Sequence, residues 1–203
     1  MARAYRSGEK TQTRRVVEAN GWNPNDYEFA CVKEHDSLSR AQAFFTDGRG
    51  TGCKYGKVGD KLWLRETFAL EECPEGRRTI WPADMTAAYD DDEDRRVFVL
   101  PSGYKLPRCK PSIHMPREYC QTVLTINALR VERLQAITDQ DALSEGVVEW
   151  FKPRAAELKK AGIAAPDRPK YLFQLLWISL YGQAAWDANP FVWVICTDKV
   201  AQK

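Results

Sequence analysis

Lys10 and Thr13 stand three residues apart in Glu9-Lys10-Thr11-Gln12-Thr13-Arg14-Arg15, directly after Gly8. In a helical turn or a tight loop that spacing puts an ammonium and an alcohol on one side. A lysine beside a threonine lowers the cost of deprotonating the hydroxyl, and a desolvated, neutral lysine can act as the base. Glu145 offers a third group. It falls in the last turn of a short predicted helix ahead of Gly146. There the helix dipole disfavours a carboxylate by about 0.3–1 kcal/mol and makes it more basic, a shift that suits a general base. The plainer readings are a surface lysine, a threonine that caps local backbone and a solvent-facing glutamate.

A second set of residues suits recognition rather than bond making. Arg14 and Arg15 present planar donors that fit phosphate. Trp63 and Arg65 alternate onto one face of a predicted strand, so a base could stack on the first while a phosphate meets the second. Glu66 falls on the apolar face of the same strand, where a carboxylate needs a partner or a purpose. Lys110, His114 and Arg117 form a small basic cluster in the proline-bounded segment Cys109-Lys110-Pro111-Ser112-Ile113-His114-Met115-Pro116-Arg117-Glu118-Tyr119-Cys120. Core filling by Trp63 and a structural His114 are the plainer alternatives.

Cys109, His114 and Cys120 are spaced a little like part of a zinc knuckle with Cys73 as a fourth ligand. The close cysteine pair that anchors such a site is missing, so no metal and no cofactor is expected. The chain has no P-loop, no G-x-G-x-x-G, no G-x-S-x-G and no H-E-x-x-H. That argues against an NTPase, a dinucleotide enzyme, an α/β-hydrolase and a zincin.

These candidates need elements to hold them. The residues before Gly8 suit two helical turns closed by that glycine. Residues 19–56 read mostly as loops, with a short strand at Phe29–Val32. A strand is expected from Lys61, with Leu62, Leu64 and Phe68 on one face. Residues 71–96 read as a polar stretch whose acidic run Asp90–Asp94 is a solvated loop tip, and Val97–Leu100 as a short strand. In Gln121–Leu134 the apolar phase shifts from Leu124 and Ile126 to Leu129 and Val131, as a β-bulge near Asn127 would cause. Thr138 is placed to cap a short helix, with Asp141 three residues later and Gly146 closing it. Residues 148–169 read as a linker with an amphipathic helix near Pro153–Ala161. A buried helix follows to Gly182, then a final strand apolar on both faces at Phe191–Cys196.

The order implies an α+β fold built on a small mixed or antiparallel β-barrel with flanking helices. At 203 residues, 44% apolar and 29% charged, the chain suits one globular domain. A net charge of +2 supplies no global basic field, so any nucleic-acid binding must come from a local patch. No apolar run reaches membrane-spanning length and no signal-peptide pattern opens the chain. The expected setting is the cytoplasm, with reduced thiols and no membrane partner.

Five segments taken in order, "EKTQTRR", "YGKVGDKLWLRETF", "KPSIHMPR", "RLQAITDQDALSEGV" and "WDANPFVWVI", resemble the ASCH-domain family, in particular its longer phage- and prophage-encoded members. The resemblance implies a PUA-like barrel spanning residues 1–203 as a single domain, with insertions at about 21–52, 70–96 and 149–169. It implies a cleft for RNA, single-stranded nucleic acid or a modified nucleoside. Small bacterial ASCH proteins include amidohydrolases that deacylate N4-acetylcytidine, with a lysine and a threonine in K-T-x-T and a glutamate ending T-x-x-x-A-x-x-E. Lys10 and Thr13 match the first, and Thr138, Ala142 and Glu145 the second. The family places a strand before the first helix, whereas this chain starts at that helix, so one barrel edge is expected to lack its partner. The expected functions are amide hydrolysis by Lys10, Thr13 and Glu145 or, alternatively, non-catalytic RNA or single-stranded nucleic-acid binding. A phage-specific role through protein contacts is implied by family context alone.

Overall fold

A computed structural model describes residues 2–34, 40–73, 76–80, 86–90, 95–99, 109–162, 164 and 166–200. In chain order the elements are α1 (Ala2–Ser7), β1 (Gln12–Val16), β2 (Phe29–Lys33), β3 (Gln42–Phe45), β4 (Gly50–Gly52) and β5 (Lys61–Trp63). Next come β6 (Ala69–Cys73), β7 (Gly76–Ile80), β8 (Thr86–Asp90), β9 (Arg95–Val99) and β10 (Val123–Arg133). The chain ends with α2 (Asp139–Ser144), α3 (Val147–Lys160), α4 (Pro169–Tyr181), α5 (Gln183–Asp187) and β11 (Phe191–Val200). They divide between two compact units, residues 3–62 with 124–200 and residues 63–123.

The first unit is organised around β11. Its sheet runs β1-β11-β10-β5 and curls as an antiparallel half-barrel. Because side chains alternate along a strand, the apolar run of β11 serves two cores. Val192 and Val194 join Leu134, Val147, Phe173 and Trp177 under the helices. Phe191, Trp193 and Ile195 join Ala43, Phe45 and Ile126 beneath the meander β2-β3-β4. This two-faced burial is why the strand carries no polar alternation.

Mixed α+β architecture with a curled antiparallel sheet and packed helices agrees with the fold class read from the sequence. Several local expectations change. Residues 19–56 hold a three-stranded meander, because Ala41, Ala43 and Phe45 alternate into the core on β3. α3 starts at Val147 and runs through Pro153, and Val147 and Phe151 bury against the core. Tertiary burial of that face outweighs the hydrogen bond proline removes. In β10 the buried positions Leu124 and Ile126 are followed by exposed Asn127 and Ala128, after which Val131 is buried. The phase change therefore falls where the bulge was expected.

In the second unit, the strand expected from Lys61 to Phe68 stops at Trp63. Phe68 instead bridges Lys110, and the stretch read as polar holds two antiparallel strand pairs, β6-β7 and β8-β9. Asp90 ends β8, while the remainder of the acidic run and Leu100 lie outside the described residues. The proline-bounded segment is ordered by two 3-10 turns, Ser112–His114 and Arg117–Tyr119. Among the described residues no helix is long and apolar enough to cross a membrane.

Phe45 meets Trp22, Phe29 and Phe191 with ring centroids 5.2, 6.1 and 5.6 Å away. Phe45→Ala is expected to destabilise the chain by about 3–5 kcal/mol, read from the midpoint shift in a urea titration at unchanged slope.

Candidate active site

Lys10 is seated by three elements at once. Gly8 ends α1 with φ +82°, and the turn lets the Lys10 N–H donate to Ala4 O at 2.9 Å. The next amide, Thr11, donates to Ser144 O at the end of α2 at 2.9 Å. Thr11 O then accepts from Thr197 N of β11 at 2.8 Å as the chain enters β1.

α2 delivers Glu145. Thr138 Oγ1 accepts from the Asp141 N–H at 3.1 Å, the cap expected from the sequence. Seven residues after Thr138, Glu145 forms the opposite cap, its N–H donating to Asp141 O. Gly146 follows in the left-handed region at φ +73°. A Cβ there would lie 3.1 Å from Lys10 Cβ and 3.4 Å from Ala4 Cβ. Glycine therefore serves both the backbone angle and the approach of Lys10.

Glu145 is buried, 3% exposed, and Lys10 is 4% exposed. Lys10 Nζ donates to Glu145 Oε2 at 2.6 Å and to Glu145 O at 2.8 Å. The other carboxylate oxygen lies 3.3 Å from Arg14 Nη1. Burial pulls the Lys10 ammonium below the ordinary lysine range. Pairing with Glu145 opposes that shift without reversing it, and the Arg15 and Arg14 charges add to the lowering.

Arg14 was expected to meet phosphate. The structure gives it another task, because its side chain has no exposed surface. It donates to Gln12 Oε1 at 3.0 Å and to Glu132 Oε1 at 2.6 Å, and lies 3.3 Å from Asp141 Oδ2. The guanidinium also sits 5.6 Å from the Phe173 ring centroid. Arg130 closes the outer side, 3.0 Å from both Glu132 and Asp141. Burial alone would raise the Asp141 carboxyl, but Arg130 and Arg14 hold it below the usual carboxylate range.

Thr13 follows the alternation of β1 rather than a helical turn. It pairs with Ile195, whereas Arg14 pairs with Val194, so the two side chains leave opposite faces of the sheet. Thr13 Oγ1 accepts from Arg15 Nη1 at 2.9 Å and shares a hydrogen bond with Tyr5. Tyr5 is the link to the ion pair, since Lys10 Nζ lies 5.3 Å from its ring centroid. Burial first, then the Glu145 charge, push the Tyr5 hydroxyl up to about 12, while Thr13 and Arg15 work the other way. The contacts thus run Thr13–Tyr5–Lys10–Glu145. A pocket of about 240 Å3 is lined by Glu9, Leu143, Gly146, Val148, Glu149 and Lys152, so it touches the chain neighbours of Lys10 and Glu145 and none of the four groups themselves.

The remaining candidates belong to the second unit. Arg65 lies with its guanidinium 4.4 Å from the Trp63 ring centroid, so it covers the ring on which a base was expected to stack. Glu66 is buried, as its place on the apolar face implied, and its N–H donates to Met115 Sδ at 3.3 Å. Lys110 and His114 are exposed in the wall of one pocket, and Arg117 is exposed at the start of its 3-10 turn. Tyr5, Gln12, Arg130, Glu132 and Asp141 were not singled out as site residues by the sequence. The i, i+2 spacing of Arg130 and Glu132 on β10 was the available sign. Among the described residues no group of three or more His, Cys, Asp or Glu side chains could hold a metal ion.

The chain matches no protein-family model, and neither a curated protein nor a solved structure is significantly similar to it.

Arg14→Met removes the buried cation shared by Glu132, Asp141 and Glu145, leaving each with one other cation, and is expected to cost about 3–5 kcal/mol of stability, measured by denaturant unfolding. The depressed Asp141 carboxyl contributes stability that is fully present above its unfolded value, about 3.9, and is lost as pH falls through its lower folded value. Asp141→Asn is expected to flatten the fall in stability between about pH 5 and pH 2, followed by urea midpoints across that range.

Proposed function

We propose that the chain is a hydrolase of an acyl amide on a modified nucleoside, of the N4-acylcytidine type, acting through Thr13, Lys10 and Glu145. The observation that carries this reading is the buried Lys10–Glu145 bond joined through Tyr5 to the Thr13 hydroxyl. The motif resemblance to ASCH amidohydrolases, with their PUA-like barrel, points to the same residues.

In this mechanism the Thr13 oxygen attacks the acyl carbon. The Thr13 proton passes to the Tyr5 hydroxyl as Tyr5 gives its own to Lys10, whose burial favours its neutral form, and the relay runs back to protonate the departing nitrogen. The products of this step are the free exocyclic amine and an acyl ester on Thr13. Water then attacks the ester, Glu145 accepts a proton from it, and the carboxylic acid leaves as Thr13 regains its hydrogen. Tyr5 is the relay between them, with its ring beside Lys10 and its hydroxyl on Thr13. Arg15, exposed and bonded to the Thr13 oxygen, is the group a substrate draws aside. The nearby pocket, walled by Leu143 and Val148 with charged Glu9, Glu149 and Lys152, lies one residue along the chain from Lys10 and Glu145.

A second reading, nucleic-acid binding without turnover, is favoured by the exposure of Arg15, Arg65, Lys110 and Arg117. It calls for affinity that falls steeply with salt.

Purified protein is expected to release acetate from N4-acetylcytidine, and Thr13→Ala or Lys10→Met to slow release by at least about 100-fold. Circular dichroism and thermal unfolding establish that each variant folds. The rate should rise with pH as Lys10 loses its proton and level off below the ordinary lysine range. Absence of turnover by the wild-type protein, or full activity in folded Thr13→Ala, overturns the reading.

A further inference from the structure

The second unit holds a pocket of about 580 Å3 that the Lys10, Thr13 and Glu145 chemistry does not use. Among the described residues its wall is lined by Phe68, Leu70, Pro116 and Tyr119, with Lys110 and His114 as the polar members. The volume falls within the range of about 300–1,000 Å3 usual for small-molecule sites.

The wall is held in place before any ligand arrives. Phe68 and Lys110 are fixed opposite one another by paired backbone hydrogen bonds of 3.2 and 2.7 Å. His114 ends one 3-10 turn, its N–H on Pro111 O at 3.0 Å. Tyr119 ends the next, its N–H on Pro116 O at 3.2 Å. Met115, between the turns, is 3% exposed and packs against Phe68. Its sulfur accepts the Glu66 N–H. Pro111 and Pro116 fix φ ahead of each turn. A site of this kind loses little ordering entropy on binding.

Its chemistry is two-sided. Phe68 and Tyr119 supply aromatic surface, with centroids 6.1 Å apart at 45°, and Leu70 and Pro116 extend it. Among the described residues of the wall the polar members are a lysine and a histidine, and neither is a carboxylate. We propose that this pocket binds a small planar aromatic ring bearing an anionic group, of the aryl phosphate or nucleoside monophosphate class. The ring packs against Tyr119 and Pro116, and the anion is met by Lys110 and His114.

The test uses the full chain and phenyl phosphate as the probe, with phenol and inorganic phosphate as the separated halves. Saturable shifts of the His114 and Tyr119 resonances are expected with phenyl phosphate. Each half alone should bind at least about tenfold more weakly, the equivalent of about 1.4 kcal/mol. Lys110→Ala and Tyr119→Ala should each weaken binding by about five- to tenfold. Lys110 and His114 are exposed, so the Lys110→Ala,His114→Ala double variant keeps the core and serves as a second reading independent of Tyr119. Inorganic phosphate binding as tightly as phenyl phosphate would overturn the proposal. So would phenol doing so, unchanged affinity in the folded double variant, or shifts produced by a single-stranded oligonucleotide alone. None of these outcomes depends on whether Thr13 is a nucleophile, because the readout is binding in the second unit.

Discussion

Glu145 is taken out of water with its charge in reach of two cations, and much of the first unit follows from that. A buried carboxylate is tolerated only where donors surround it. Lys10 takes one oxygen and Arg14 approaches the other. To bring Lys10 there, the chain must turn at Gly8 and lean on both α1 and α2. To bring Arg14 there, β1 must pair with β11 in a register that sets even-numbered side chains toward the helices. Arg14 in turn needs Glu132 from β10 and Asp141 from α2, and Arg130 balances those two. Three elements, β1, β10 and α2, and the turn that carries Lys10 are thus tied by charge at the same place where the proposed chemistry occurs.

The two arginines of the N-terminal motif illustrate how a strand divides labour. Arg14 is sealed in the ion network, and Arg15, one residue on, is exposed beside Thr13. Alternation of period two makes the first an internal scaffold and the second a group facing solvent. β11 shows the same division with apolar residues, its odd and even positions filling two separate cores.

Elements with strong local signals were legible in the sequence. Thr138 with Asp141, Gly146, the apolar run from Phe191 and the phase change near Asn127 all lie where their chemistry placed them. The convergence of Lys10 with Glu145 was legible only as a pairing of unusual residues, since 135 positions separate them. What was not legible came from partners distant in sequence. β3 and β4 are short, and their strand character depends on a shared core. Arg14 read as a phosphate ligand because nothing local shows that Glu132, Asp141 and Phe173 surround it. Tyr5 gave no sign, because its role depends on the seat of Lys10 and on Thr13.

Gly146 closes α2 and caps the start of α3, so only that residue separates Glu145 from the longest of the described helices. At about 1.5 Å per residue the 14-residue α3 is about 21 Å long. Its first turns are anchored by Val147 and Phe151 in the core under the helices. With only Gly146 between them, the packing that seats this helix also sets where the Glu145 backbone lies, so the acid is placed by a hydrophobic core it does not itself enter.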